Sequence, residues 1–148
     1  MEAPAGGVGA VCAGRLPVSR GTADREALRR CIAVLEAGEP LVLFPEGERK
    51  TGPVVQPLFD GAANVALRGK APIVPVGIGG SEAVMPKGAR FIHPHKVHVV
   101  VGRPITHAAM AEDAKRVPRE AVHQVTAELH ETLQRLFDEA QRRLWPPP

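Results

Sequence analysis

Leu41-Val42-Leu43-Phe44-Pro45-Glu46-Gly47-Glu48-Arg49-Lys50 sets four consecutive apolar side chains against a Pro-Glu-Gly break and two adjacent cations. A continuous apolar run that stops abruptly predicts a strand covered on both faces, as in sheets flanked by helices. The charged residues after it then stand at the strand's carboxyl end, where open α/β sheets bind ligands. A guanidinium fixed there holds phosphate through paired hydrogen bonds. The same residues in an ordinary solvated turn hold nothing, and the local pattern leaves both readings open.

Working outward, the segment upstream reads as an amphipathic helix. Thr22 is its expected N-cap, Asp24 and Glu26 suit the positive end of the helix dipole, and Leu28, Cys31, Ile32 and Leu35 recur at helical spacing before Gly38 closes it. Gly14-Arg-Leu-Pro-Val-Ser-Arg20 before it predicts an edge strand interrupted by proline. Downstream, a small-residue helix is expected over 60–68, then Gly69 and a buried strand near 73–78. A half-exposed strand is expected over 96–101, where Val97, Val99 and Val101 alternate with Lys96, His98 and Val100. Val122, Val125, Leu129, Leu133, Leu136, Phe137, Ala140 and Leu144 form one stripe of a long helix starting near Pro118, with Glu120, Glu128, Glu131 and Arg135 on its polar side. This alternation predicts an α/β domain with a mixed, largely parallel central sheet flanked by helices.

The 148 residues suffice for one domain, which at this size buries roughly 68–70% of its unfolded surface. Hydrophobic content of 44% and charged content of 24% exclude a wholly disordered or fibrous chain. A net charge of +3 with scattered basic residues, 3% aromatics and no Tyr argues against a nucleic-acid binder. No apolar stretch reaches the length needed to span a bilayer, and residues 1–14 lack the basic start of a secretory signal. Cys12 and Cys31 have no metal-ligand spacing, and a reducing cytoplasm suits them. His93, His95 and His98 have the residue type of a metal site, but Pro94 interrupts them and a strand would turn His95 and His98 to opposite faces, so no metal is expected.

Three blocks in order carry a resemblance. Phe44-Pro45-Glu46-Gly47-Glu48-Arg49 is similar to the third block of the glycerolipid acyltransferases of the lysophosphatidate (1-acyl-sn-glycerol-3-phosphate) type; 14–20 resembles their second, a strand opened by Gly and ended by Arg; and Val74-Pro75-Val76-Gly77-Ile78 resembles their fourth. Gly102-Arg103-Pro104-Ile105 matches a turn habitual in the family. The resemblance implies that Arg20 and Arg49, helped by Lys50, grip the phosphate of a lysophospholipid acceptor. It implies that Glu46 and Gly47 shape the pocket floor, and that Gly14, Phe44, Pro45, Val74 and Pro75 are structural positions near the acyl path. It further implies an acyl-CoA or acyl carrier protein thioester as donor, no metal or other cofactor, and a peripheral place on the inner face of the membrane. Glu48 and Lys50 depart from the small hydroxyl residues usual at those positions.

The family's first block, a His followed five positions later by Asp, supplies the base that takes the acceptor hydroxyl's proton and the carboxylate that orients it. Only residues 1–13 precede Gly14, and the first histidine of the sequence is His93. His107 and Glu112 imitate the spacing but follow the fourth block, and read as a surface pair. The expected organisation is therefore an atypical or disordered leader over 1–13, a partial acyltransferase-like domain over 14–145 and a proline tail over 146–148. From this follows an expectation that the chain is inactive alone for want of its base, with a non-catalytic phosphate- or anionic-lipid-binding remnant as the competing reading. An apolar face or sheet edge left open by the shortened domain predicts self-association.

Overall fold

A computed structural model describes residues 25–108 and 117–144. The elements in chain order are α1 (Arg25–Glu36), α2 (Gly61–Arg68), β1 (Val76–Gly79), α3 (Ser81–Val84), β2 (His98–Val101) and α4 (Arg119–Leu144). The chain divides into two compact units, Met1–Val42 and Leu43–Pro148. The expected strand over 14–20, the Thr22 cap, the leader and the proline tail lie outside the described residues.

In the first unit, α1 buries Ala27 and Cys31, and burial pushes the Cys31 thiol above its ordinary pKa. Gly38 ends the helix as expected. It adopts φ +77°, the Gly38 amide donates to the Leu35 carbonyl and the Glu39 amide to the Val34 carbonyl. These two reversed bonds form a Schellman motif, whose left-handed residue favours glycine.

The second unit is built on α4. Val122, Val125, Leu129, Leu136 and Ala140 of the predicted stripe are buried, Leu133, Phe137 and Leu144 are half-buried, and Ala121 is buried beside them. The first half packs on α2, where Ala63, Ala66 and Leu67 meet Ala121, Val122 and Val125, with Ile73 and Val117 at the margin. Alanines at the contact let the two helices approach closely, and burial of Leu67 and Val125 contributes about 1.5–3 kcal/mol each.

The second half of α4 carries the sheet. β1 and β2 pair antiparallel, with Val76 opposite Val101 and Ile78 opposite Val99, and an isolated bridge from Ile73 to Ile105 extends the pairing. Helix-covered sheet and the alternation of element types make this an α/β unit, and the strand pair among the described residues is antiparallel.

Two expected strands need correction. The run over 41–44 forms no strand among the described residues, and Val42 and Phe44 are 79% and 77% exposed. It straddles the boundary between the two units, and apolar content makes a strand only where a neighbouring backbone completes the ladder. The segment over 73–78 is not buried along its length. Val74, Val76 and Ile78 are exposed, whereas Pro75, Gly77 and Gly79 are buried. The cause is close approach of the helix: a Cβ on Gly77 would lie 2.5 Å from the Leu136 carbonyl carbon, and one on Gly79 would lie 2.7 Å from that of Ala140. Only a strand face without side chains lets the α4 backbone come so near.

That contact yields a stability test. Gly77→Ala should lower unfolding free energy by about 1–3 kcal/mol through overpacking. Gly61→Ala, at a helical position with open space around it, should be neutral or mildly stabilising. Urea denaturation of both variants checks the pair, and equal stabilities would refute the close packing.

Candidate functional site

The Pro-Glu-Gly break folds as a turn. The Gly47 amide donates to the Phe44 carbonyl at 3.0 Å, and Gly47 takes φ +72°. A Cβ there would come within 2.7 Å of the Phe59 ring, so glycine serves both the backbone conformation and the ring's seat. Phe59 is fixed in turn by its amide, which donates to the Pro45 carbonyl at 2.9 Å. The two halves of a loop over 44–59 thereby close on each other.

Glu46 holds that closure from inside. Its carboxylate accepts the Gln56 amide at 3.0 Å, in a half-buried position. The loop is also pinned to α4. Gln134 Oε1 accepts the Val55 amide at 2.7 Å, Gln134 Nε2 donates to the Pro53 carbonyl at 3.2 Å, and His130 Nε2 donates to the Val55 carbonyl at 3.0 Å. The last contact sets the tautomer, since a carbonyl only accepts. Gln134 Nε2 reaches Asp138 as well, at 2.8 Å.

The cations lie on the outer side of this loop. Arg49 is exposed, and its Nη1 donates to the Met85 carbonyl at 3.2 Å. The Gly52 amide donates to Glu82 at 3.4 Å, so the 49–52 stretch is tied to the segment after β1. Lys50 Nζ lies 2.7 Å from Glu48 Oε1. The two departures from the family pattern thus pair with each other, and of this loop's two cations Arg49 is the one with no carboxylate paired to it among the described residues. An exposed pair of this kind contributes at most about 1 kcal/mol.

Of the sequence-predicted residues, the structure brings Phe44, Pro45, Glu46, Gly47, Arg49 and Lys50 into this one loop. Phe44 stands exposed at its start. Val74 is 50% exposed and Pro75 is buried beside Gly102, whose amide donates to the Pro75 carbonyl at 2.9 Å. Gly14 and Arg20 lie outside the described residues, as does Glu112. His107 is near Gln124, with Nε2 and Oε1 3.4 Å apart.

Sequence reasoning missed His130, Gln134 and Glu82. His130 and Gln134 stand four apart and so share one helix face, a spacing legible in the sequence although it does not say what that face meets. It also missed a second cluster, where α2 meets α4. Thr126 Oγ1 donates to Asp60 Oδ1 at 3.0 Å, His123 Nδ1 is 3.7 Å from Asp60 Oδ2, and Arg119 Nε donates to His123 Nε2 at 3.1 Å. Asp60, Asn64, Arg68 and Arg119 line an open cavity of about 430 Å³ there. No helix among the described residues is long and apolar enough to cross a membrane.

Deleting an α4 anchor should loosen the loop measurably. Gln134→Ala leaves the Val55 amide without its acceptor and should cost about 1 kcal/mol. Hydrogen exchange at Val55 and Gln56 should accelerate while the α2–α4 core amides keep their protection. Unchanged exchange at both would show that the α4 contacts do not hold the loop.

Comparison with known proteins bears on what such a loop belongs to. Residues 7–79 match the family model described as Acyltransferase. The chain is 30% identical over 124 residues to the 1-acyl-sn-glycerol-3-phosphate acyltransferase of Bacillus subtilis (strain 168), covering 81% of this chain and 59% of that protein. It is 32% identical over 81 residues to a chloroplastic 1-acyl-sn-glycerol-3-phosphate acyltransferase of Brassica napus, covering 54% of this chain and 24% of the relative. The crystal structure of the 1-acyl-sn-glycerophosphate (LPA) acyltransferase PlsC from Thermotoga maritima superposes with a TM-score of 0.63 at 25% identity, over 76% of this chain and 43% of that one. The chain therefore spans between about a quarter and three fifths of the length of these relatives. The matched span contains the Phe-Pro-Glu-Gly turn and the Val-Pro pair that leads into β1, and the chain belongs to the glycerolipid acyltransferase family.

Proposed function

We propose that this chain serves acyl transfer from a thioester, acyl-CoA or acyl carrier protein, to the free hydroxyl of a lysophosphatidate-type acceptor at a membrane surface, on the cytoplasmic side. The observation that carries this reading is the exposed Arg49 guanidinium, held by the Met85 carbonyl on a loop whose turn is the family's third block. Fixed there, Arg49 presents its remaining donors to an anion without meeting a carboxylate first. Glu46 acts one step back. Its carboxylate is used on the Gln56 amide, so it shapes the loop that presents Arg49.

In the reaction so read, the acceptor oxygen attacks the thioester carbonyl, the carbon–sulfur bond breaks, and the hydroxyl proton passes to a base. The thioester is itself activated, and the reading invokes no metal or other cofactor. The residues in hand contribute acceptor binding. A base upstream of the Arg20 block is what the family reaction uses, and the first histidine here is His93. Base catalysis is worth about 10²–10⁴-fold, so these 148 residues alone should bind acceptor and turn it over poorly.

The decisive experiment pairs binding with turnover. Short-chain soluble lysophosphatidate should bind, and Arg49→Ala should weaken it about 10- to 100-fold, the worth of a charge-assisted hydrogen bond. Arg20→Ala should act in the same direction. Unchanged affinity in both variants would overturn the phosphate-grip assignment. Transfer from labelled acyl-CoA at a rate typical of an intact enzyme, lost in Arg49→Ala, would overturn the missing-base reading. Binding without transfer, even when the chain is extended upstream by a His-x-x-x-x-Asp segment, would favour a non-catalytic anionic-lipid module.

Self-association belongs to the same proposal. Val76 and Ile78 of β1 stand opposite Val101 and Val99 of β2, and all four are exposed on the sheet face away from α4. Open apolar surface of this kind drives association in water. Sedimentation velocity should show species larger than a monomer. A single monomeric boundary would contradict it.

A further inference from the structure

From Ala83 to Ala111 the sequence has no Asp or Glu, yet it contains Lys87, Arg90, Lys96 and Arg103, and His93, His95, His98 and His107. Within this span, residues 85–92 form a loop closed at its base by the His93 amide, which donates to the Val84 carbonyl at 2.8 Å. Its tip is a turn, with the Ala89 amide donating to the Pro86 carbonyl at 2.9 Å and Gly88 at φ +88°. Phe91 and Ile92 follow, 77% and 73% exposed. Lys87, Arg90 and Lys96 are exposed around them, with no carboxylate paired to any of the three among the described residues.

A polar loop would not carry two adjacent large apolar side chains in water without a partner for them. The partner must accept both an apolar wedge and a ring of positive charge. A lipid surface does this, because acyl chains take the apolar groups while anionic headgroups meet the cations. We propose that the 85–96 loop is the membrane-docking element, with Phe91 and Ile92 entering the headgroup–acyl boundary and Lys87, Arg90 and Lys96 contacting anionic headgroups. Neither signal alone gives firm attachment; weak apolar insertion and a basic patch together do.

Placement supports the assignment. Met85, at the loop's start, supplies the carbonyl that holds Arg49. Docking through this loop sets the candidate phosphate site beside the surface from which a lysophospholipid is drawn. The inference rests on the membrane reading above for the class of partner only. It adds which residues make the contact.

The test uses the full chain and vesicles of phosphatidylcholine, with or without an equal amount of phosphatidylglycerol, which is not the proposed acceptor. Binding should be strong to the anionic vesicles, weak to the neutral ones, and reduced by salt. Replacing Lys87, Arg90 and Lys96 together by Gln should weaken binding on the order of 100-fold. Phe91→Ser with Ile92→Ser should weaken it at least about tenfold. A second readout does not depend on affinity. On a Trp145→Phe background, Phe91→Trp should blue-shift with anionic vesicles and be quenched by brominated acyl chains.

If the parent binds vesicles and all the loop variants bind as well, with no quenching at position 91, this inference fails and the membrane reading stands. If the parent ignores vesicles, both fail. Charge-dependent capture of an acidic acyl carrier protein in place of vesicles would also overturn the inference. Soluble lysophosphatidate binding, measured without any membrane, reports the Arg49 site separately.

Discussion

The second unit depends on backbone meeting backbone. Gly77 and Gly79 face Leu136 and Ala140, two residues of strand matched to four of helix. The match is metric, since two strand residues advance about 6.6 Å and four helical residues about 6 Å. Strand and helix run in the same direction, and any Cβ on the shared face would force them apart. Gly102 continues the surface, where a Cβ would meet Leu136 Cδ1 at 2.8 Å. With α4 so placed against the sheet, its preceding turns reach α2 and the loop over 53–56.

This geometry explains how a charged turn becomes a defined site. The loop over 44–59 has no helix or strand before α2, so its own backbone satisfies little. It borrows its order from Glu46 within and from His130 and Gln134 on α4. Arg49 then sits on a loop referenced to the same helix that holds the sheet. The Met85 carbonyl fixes the guanidinium from the other side, at the start of the basic, apolar loop over 85–96. The proposed phosphate grip and the proposed surface contact are thus neighbours in the fold.

The periodic elements were legible in the sequence because their reasons are local. The α4 stripe, the α2 span and the Gly38 cap follow from helical spacing and from one residue's left-handed backbone. The family blocks were legible as well, since Phe-Pro-Glu-Gly and Val-Pro are short and ordered. The apolar run at 41–44 misled, because strandness needs a partner that hydropathy does not name. Val74, Val76 and Ile78 misled in the opposite sense: branched residues are ordinarily the buried ones, yet here the glycines between them face the helix.

By itself the sequence determined the helices α1, α2 and α4 and the order of the family blocks, because each rests on residue type, spacing and order along the chain. The tertiary structure decided which face of β1 is covered, that Glu46 is used on the Gln56 amide, that Glu48 and Lys50 neutralise each other, and that His130 and Gln134 hold the loop. These are contacts between residues far apart in the chain. Their energies depend on distances that only the packed backbone sets.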